Sequence, residues 1–372
     1  QTATAGTSNF RAGVNAGIGI LSTGNYNVLI GDEAGKALTV GDESVAVGYE
    51  ALMTAISGSE NTAVGYRALK LTTGNSNTAV GKNSMVTNVT GQNCVAVGDG
   101  TLSDNVSSNN TAIGGKALNL NTSGTRNSAV GLLSFSKQTT TNDSTGIGYL
   151  AGRYMTGAGN TALGSYALGG GSSGGNSGSA NTAVGYQALE DVTSGTENTG
   201  VGSLSLTNVE GGGGNVAVGR ESLSSLTSGN SNVAIGKLAL FTTNGSQNVA
   251  IGQEAARLNE NGSNNVVIGF EAHYTSTGAG SNVAIGYQAA YSNTTGSALT
   301  CVGLDSGKHN TTGGTNTFIG SSAGKGITGA KLTGSNNTTV GSGAGLLLQG
   351  AGNANTFLGS DAGDSVTVGV QN

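Results

Sequence analysis

The sequence predicts an all-β chain, a parallel β-solenoid of about twenty coils, from three observations. An aliphatic residue followed by Gly recurs along nearly the whole chain, mostly at a spacing of 16 or 17 residues. The anchor Gly and the three positions before it carry no charge in any copy. The 372 residues include 68 Gly and no Pro, as expected where coils stack closely and every backbone N–H is needed in the ladder.

Composition removes the competing classes. Aromatic residues make up 4% and charged residues 9%, against roughly 25% charged in an ordinary domain, which argues against a compact enzyme with a bulky core. Gly follows no three-residue period, so collagen is excluded, and neither Pro nor high charge marks the chain as disordered. A net charge of −5 with scattered Lys and Arg leaves no nucleic-acid footprint. No stretch approaches the roughly 20 apolar residues of a membrane span, and no signal segment opens the chain, so membrane insertion is not expected. Cys94 and Cys301 lie far apart in the repeat, and each is expected to fill a small-residue slot without pairing.

In chain order, residues 1–23 form an N-terminal cap or joint, in which Phe10, Arg11 and Val14 fit the frame poorly. Residues 24–365 form one continuous repeat domain with twenty anchor glycines from Gly31 to Gly359, among them Gly65, Gly81, Gly185, Gly236 and Gly286. Residues 366–372 form a C-terminal tail that caps the stack, joins another subunit or frays. The insertions 169–180 and 324–335 are Gly/Ser-rich and are expected to protrude as spacers.

Within each coil, the residue before the anchor is always Val, Ile or Leu. Three before the anchor it is Val or Thr, except Ser128, and Ala usually lies between. This two-residue period of β-branched residues reads as a strand, and its lack of charge predicts that both faces are covered. Three after the anchor stands Ala, Ser or Thr, followed mostly by Leu, Met or Phe, where a second short strand or bend folds back. Gly occupies the position seven before the anchor in seventeen copies, and Asn the position four before it in sixteen. These predict a tight turn with φ > 0 at Gly, Asn bonded to local backbone, and an Asn ladder along the axis. Twenty coils at about 4.8 Å each would make a rod roughly 95 Å long. One narrow solenoid buries little apolar area per residue, so the second strand face is expected to pack against other chains in a parallel homo-oligomer, most simply a side-by-side homotrimer. A monomeric solenoid with that face exposed is the alternative.

The unit is plain in Asn61-Thr62-Ala63-Val64-Gly65-Tyr66-Arg67-Ala68-Leu69 and in Asn181-Thr182-Ala183-Val184-Gly185-Tyr186-Gln187-Ala188-Leu189. It resembles the YadA-like head repeats of trimeric autotransporter adhesins. Related repeats occur in bacteriophage tail fibres and in bacterial surface proteins that carry a self-cleaving chaperone domain. The resemblance implies a left-handed β-roll, three chains side by side, an extracellular location on a virion tail or cell-surface appendage, and a role in attachment. The chain departs from that family in its longer coil and in lacking a heptad stalk, a membrane-anchor barrel and a chaperone domain. It is therefore expected to be either a fragment of a longer product or a subunit that associates end to end.

Catalytic chemistry is not expected, and no cofactor or metal is. His273 and His309 lie two coils apart in different columns, with His273 replacing a Leu as a space-filling or surface residue. Asp32, Glu33, Glu50, Glu221, Glu254, Glu271, Asp305 and Asp361 share the positions just after the anchor with Arg67, Lys82, Lys116, Arg220 and Lys237, reading as a solvated mixed-charge edge. The regular Asp of calcium-binding β-rolls is missing. Tyr49, Tyr66, Tyr149, Tyr186, Phe270 and Tyr287 directly follow their anchors, either as stacking platforms for sugars or as covers for strand edges and inter-chain seams. The function expected is a structural and adhesive fibre whose partners are copies of itself and a host-surface glycan or protein. The alternatives are a self-polymerising filament subunit and an ice-binding solenoid, the latter disfavoured because the Thr column reads as buried.

Overall fold

The computed structural model describes residues 6–170 and 176–369. The chain is all-β; the described residues form twenty-one three-residue strands, one per coil and parallel, from β1 (Phe10–Ala12) to β21 (Thr356–Leu358), winding a β-solenoid of about twenty turns. Among the described residues there is no helix. The chain divides into two compact units, residues 1–183 and 184–372.

In both units, neighbouring coils are joined in unbroken register. In the first, Val45, Ala46 and Val47 pair with Thr62, Ala63 and Val64; in the second, Val233, Ala234 and Ile235 pair with Val249, Ala250 and Ile251. Backbone bonds continue around the coil beyond the strand, through Glu50 N–H to Asp32 (3.0 Å), Leu52 N–H to Ala68 (3.0 Å) and Glu60 N–H to Asp42 (2.9 Å). The segment after each anchor is a bend and not a second strand. Its shape comes from non-glycine residues in the left-handed region, such as Glu50 (φ 54°), Leu52 (φ 54°) and, in the turn, Glu60 (φ 59°). Each such residue costs about 1–2 kcal/mol, and the inter-coil bonds on these same N–H groups offset the cost.

All twenty anchor glycines have φ between 120° and 139°. A Cβ on Gly48 would also lie 2.5 Å from the Gly65 carbonyl oxygen in the next coil, so both dihedral and space demand Gly. The turn glycines obey a different rule from the one expected. None from Gly24 to Gly352 lies in the left-handed region. They are Gly because the coils approach: a Cβ on Gly195 would stand 2.6 Å from the Gly212 carbonyl oxygen. Two residues after the turn Gly, at Glu43, Glu60 or Ser76, φ becomes positive.

The frame extends past the anchors at both ends. Phe10, Arg11 and Ala12 pair with Val28, Leu29 and Ile30, and Gly13 (φ 134°) takes an anchor conformation. Arg11 replaces the small central residue, and its Nη1 donates to the Gly17 carbonyl (2.6 Å). At the other end the Asn355 amide donates to the Gly369 carbonyl (2.9 Å), the bond that Asn337 makes to Gly352 (2.8 Å). Within 324–335, Ile327 and Ala330 form a small antiparallel bridge while Leu332 is fully buried and pairs with both Asn310 and Gly350, so this insertion is partly built into the stack. Part of the insertion 169–180 lies outside the described residues; Asn176, beyond that part, is buried and bridges to Met155.

The core is filled by matching large residues to glycines in the same or neighbouring coils. Most coils bury Ala at the strand centre, and nine of the twenty bury Leu four residues after the anchor. Where Phe135 takes the Leu place, the next coil has Gly146 and Gly152, and a Cβ on either would run into the Phe135 ring. Where Phe318 takes the Ala place, Gly307 and Gly324 make room; Leu29 is likewise matched by Gly17 and Gly35. Gly152→Ala should therefore lower stability by about 3 kcal/mol through overpacking, and Phe135→Leu by about 1 kcal/mol. The double variant should lose clearly less than the sum, read by thermal melting and amide-exchange protection of residues 130–165. Strict additivity would refute the matched packing.

Candidate functional site

Within one chain the strand has a covered face and an open one. At the strand centre the small residue points inward and is fully buried, as at Ala46, Ala96, Ala234 and Ala250. The β-branched columns on either side point outward. Val80, Val97, Ile113, Ile235 and Leu163, each just before an anchor, are 36%, 36%, 41%, 39% and 43% exposed. The Val/Thr column is half-buried, not buried, along most of the chain. Interior volume is the reason: a Cβ on Gly200, at a strand centre, would sit 3.1 Å from Leu189 Cδ1 of the preceding coil, leaving space for Ala and little more. In each unit the result is a ladder of Val, Ile, Leu and Thr, broken only by Phe10, Ala12 and Ser128 in the first, one pair per coil and free of charge, facing away from the core.

The column after the anchor is built for axial stacking. The Tyr49 and Tyr66 rings lie 5.5 Å apart at 20°, and Phe270 and Tyr287 lie 5.6 Å apart at 8°. Tyr149 meets Tyr166, which stands one position further along its own coil, edge-on at 5.4 Å. Tyr186 is exposed in the same column. Rings stacked along the axis turn faces toward one another and present edges outward, which leaves few free faces for a sugar.

A second aromatic column, not read from the sequence, stands five residues after the anchor: Phe241, Arg257, Tyr274 and Tyr291 in successive coils. Tyr274 and Tyr291 stack at 5.2 Å, and the Arg257 guanidinium lies 5.8 Å from the Phe241 ring centre and 5.6 Å from that of Tyr274. Its signal is the spacing of 16 or 17 residues, visible only once every column is followed.

The mixed-charge edge forms ion pairs between coils. Glu50, 7% exposed, meets Lys70 Nζ at 2.7 Å and Arg67 Nε at 2.8 Å, and Lys70 foremost, with Arg67 and Tyr49, holds its carboxyl down to about 2. Asp305 similarly lies between Lys308 (3.1 Å) and Lys325 (2.8 Å). Arg220 pairs with Glu221, its neighbour in the chain, at 2.6 Å.

Two Asn columns run through the interior. From the position four before the anchor, the Asn Oδ1 accepts the backbone N–H of the equivalent residue in the next coil, and Nδ2 donates to that coil's turn. Asn61 thus binds Asn77 N–H (3.0 Å) and the Gly74 carbonyl (2.9 Å). In the second unit the amides also bond one another, Asn215 to Asn198 (3.0 Å), Asn232 to Asn215 (3.1 Å) and Asn248 to Asn232 (3.1 Å), the expected ladder. The main bonds cross between coils instead of closing a local turn. A further buried column, absent from the sequence reading, lies three residues before the turn Gly, where Asn259, Asn293 and Asn310 donate to the carbonyls of Gly262, Gly296 and Gly313.

His273 is fully buried between these columns. Asn293 Nδ2 lies 2.9 Å and Asn282 Nδ2 3.4 Å from its Nε2, while Nδ1 has no partner, so the ring is neutral, with Nε2 accepting. Burial pushes its pKa down to about 4. It fills a Leu place with Ala256 and Ala290 at the same position in the adjacent coils. His309, next to Lys308 in the chain, is half-buried, with its Nε2 3.3 Å from Thr328 Oγ1. Cys94 and Cys301 are free, buried thiols filling an Asn and an Ala place, and burial pushes Cys301 up to about 12. Among the described residues no three His, Cys, Asp or Glu side chains converge as metal ligands, and no helix is long and apolar enough to cross a membrane.

No protein-family model matches the chain, and no curated protein matches it.

The neutral, buried His273 sets a pH dependence. With its pKa depressed in the fold, the unfolded chain binds a proton first as pH falls. The contribution of His273 to stability is therefore constant above pH 6.5, falls between about 6.5 and about 4 by on the order of 3 kcal/mol, and is constant again below. His273→Leu should remove that component, seen as a smaller change in melting temperature between pH 7 and pH 4.5. Equal pH profiles would contradict the buried neutral assignment.

Proposed function

We propose that the chain is a structural and adhesive extracellular fibre, a left-handed β-roll in which three parallel copies pack side by side through their strand faces. The observation that carries this reading is the charge-free ladder of exposed Val, Ile and Leu that accompanies the strands of both units. Monomeric proteins rarely leave an apolar surface of this extent in water, and a larger one marks an interface. Side-by-side packing of parallel copies puts the same ladder of each chain against its neighbours. Three chains and an attachment role are suggested by the likeness of Asn-Thr-Ala-Val-Gly-x-x-Ala-Leu to the head repeats of trimeric adhesins and to tail-fibre repeats, which also supports a location on a virion tail or cell-surface appendage. The remaining surface, rich in Ser, Thr and Asn with ion pairs between coils, suits a long-lived extracellular fibre better than a catalytic site.

A second reading is favoured by the half-exposed Thr column. A regular array of Thr and Val outward on a parallel sheet is also a surface on which water can be ordered, as in an ice-binding solenoid. One experiment separates the two. Light scattering at micromolar concentration should give about 108 kDa, three times the 36.1 kDa chain. Ile113→Lys combined with Ile235→Lys should reduce this to the single-chain mass with the far-ultraviolet spectrum unchanged. A wild-type chain at 36.1 kDa overturns the trimer, and thermal hysteresis in that sample would move the reading to ice.

A further inference from the structure

Away from the strand face, the first unit has a groove of about 570 Å³ lined by residues of four successive coils. Small residues create it. Gly100 and Ser103 are part of its lining, in columns that elsewhere hold Arg67 or Glu50 and Phe241 or Tyr274. Long side chains close its ends, Arg67 and Lys70 on one side and Lys116 on the other, with Lys82 alongside.

The cations differ in their engagement. Arg67 and Lys70 are committed to Glu50 of the preceding coil. Lys82 and Lys116 form no ion pair among the described residues, in a chain whose net charge is −5. They lie two coils apart, about 10 Å along the axis at a strand spacing of about 4.8 Å. The coil between them supplies Asp99, Ser103 and Asp104 to the lining, groups that accept or exchange hydrogen bonds with hydroxyls and repel an anion. Along the axis, the groove thus offers a cation, a hydroxyl-binding carboxylate pair and a second cation.

We propose that this groove binds a linear acidic polysaccharide carrying one carboxylate or sulfate on every second sugar. A sugar unit spans about one coil, so a chain lying along the axis places alternate units beside Lys82 and Lys116. The neutral unit between them sets its hydroxyls against Asp99 and Asp104. A polymer charged at every unit meets those carboxylates and is excluded; a neutral polymer leaves both ammonium groups without counter-charge. The proposal deepens the adhesive reading and rests on it for its biological setting, but the groove lies within one chain and its occupancy is separable from chain number.

The test is calorimetric titration of the full chain with a hyaluronan octasaccharide, which carries one carboxylate per disaccharide. A neutral cello-oligosaccharide and a polygalacturonate oligomer, charged at every unit, serve as controls. Binding is expected for hyaluronan alone, weakening as salt rises. Lys82→Gln with Lys116→Gln should weaken it at least tenfold. Ser103→Phe, which fills the groove with a side chain that the same column holds at Phe241, should abolish it with the far-ultraviolet spectrum unchanged. Absence of hyaluronan binding, equal binding of either control, or unchanged affinity in the lysine double variant would overturn the proposal. Light scattering on the same sample reports chain number, so failure of the fibre reading and failure of the groove are distinguished.

Discussion

The close approach of each anchor glycine to the carbonyl of the next anchor is the constraint on which the rest of the structure depends. At Gly65 a Cβ would stand 2.6 Å from the Gly81 carbonyl oxygen, and at Gly219 2.7 Å from that of Gly236. With φ near 130°, the anchor turns the chain sharply out of the strand, which limits each strand to three residues. That spacing brings successive coils close enough for the backbone bonds between them, and those bonds hold Glu50, Leu52 and Glu60 in left-handed conformations that L-residues otherwise avoid. The same registry aligns every column, so Asn meets Asn, Tyr meets Tyr and Glu50 meets Arg67.

Much of this was legible because registry turns a structural layer into a sequence column. The strand, the Asn ladder, the anchor Gly and the slots of Cys94 and Cys301 all follow from period and residue type. The direction in which the strand faces was not legible. Both its sides are free of charge, so polarity does not distinguish inside from outside; the decision falls to interior volume, set by residues such as Leu189 against Gly200. The turn glycines were assigned the wrong cause for a related reason, since a positive φ and a close neighbour select the same residue and only coordinates separate them. The first coil was obscured because Arg11 and Ala12 replace its usual small and aliphatic residues, although Phe10, Arg11 and Ala12 pair in register.

The candidate sites divide along the same line. Aromatic columns were partly visible, Tyr49 and Tyr66 directly and Phe241, Arg257, Tyr274 and Tyr291 not at all, because an Arg interrupts the latter. Their stacking along the axis makes them part of the coil-to-coil contact. What is left for other molecules is the outward aliphatic ladder, through which copies of the chain are proposed to pack, and the departures from the repeat. The groove at Gly100 and Ser103 is such a departure: it exists because two columns lose their long side chains in one coil.

The central claim, that the anchors are glycine because the coils need both their dihedral and their missing side chain, is tested most directly by comparing two Gly→Ala variants of the second unit. Gly219 has φ 132° and faces the Gly236 carbonyl, whereas Gly278 has no atom within 4 Å of an added Cβ and lies outside the left-handed region. Gly219→Ala should lower stability by about 3 kcal/mol, a fall of roughly 6–12 °C in melting temperature for a unit of this size. Gly278→Ala should change stability by less than about 1 kcal/mol, toward greater stability. Equal shifts for the two variants would contradict the account.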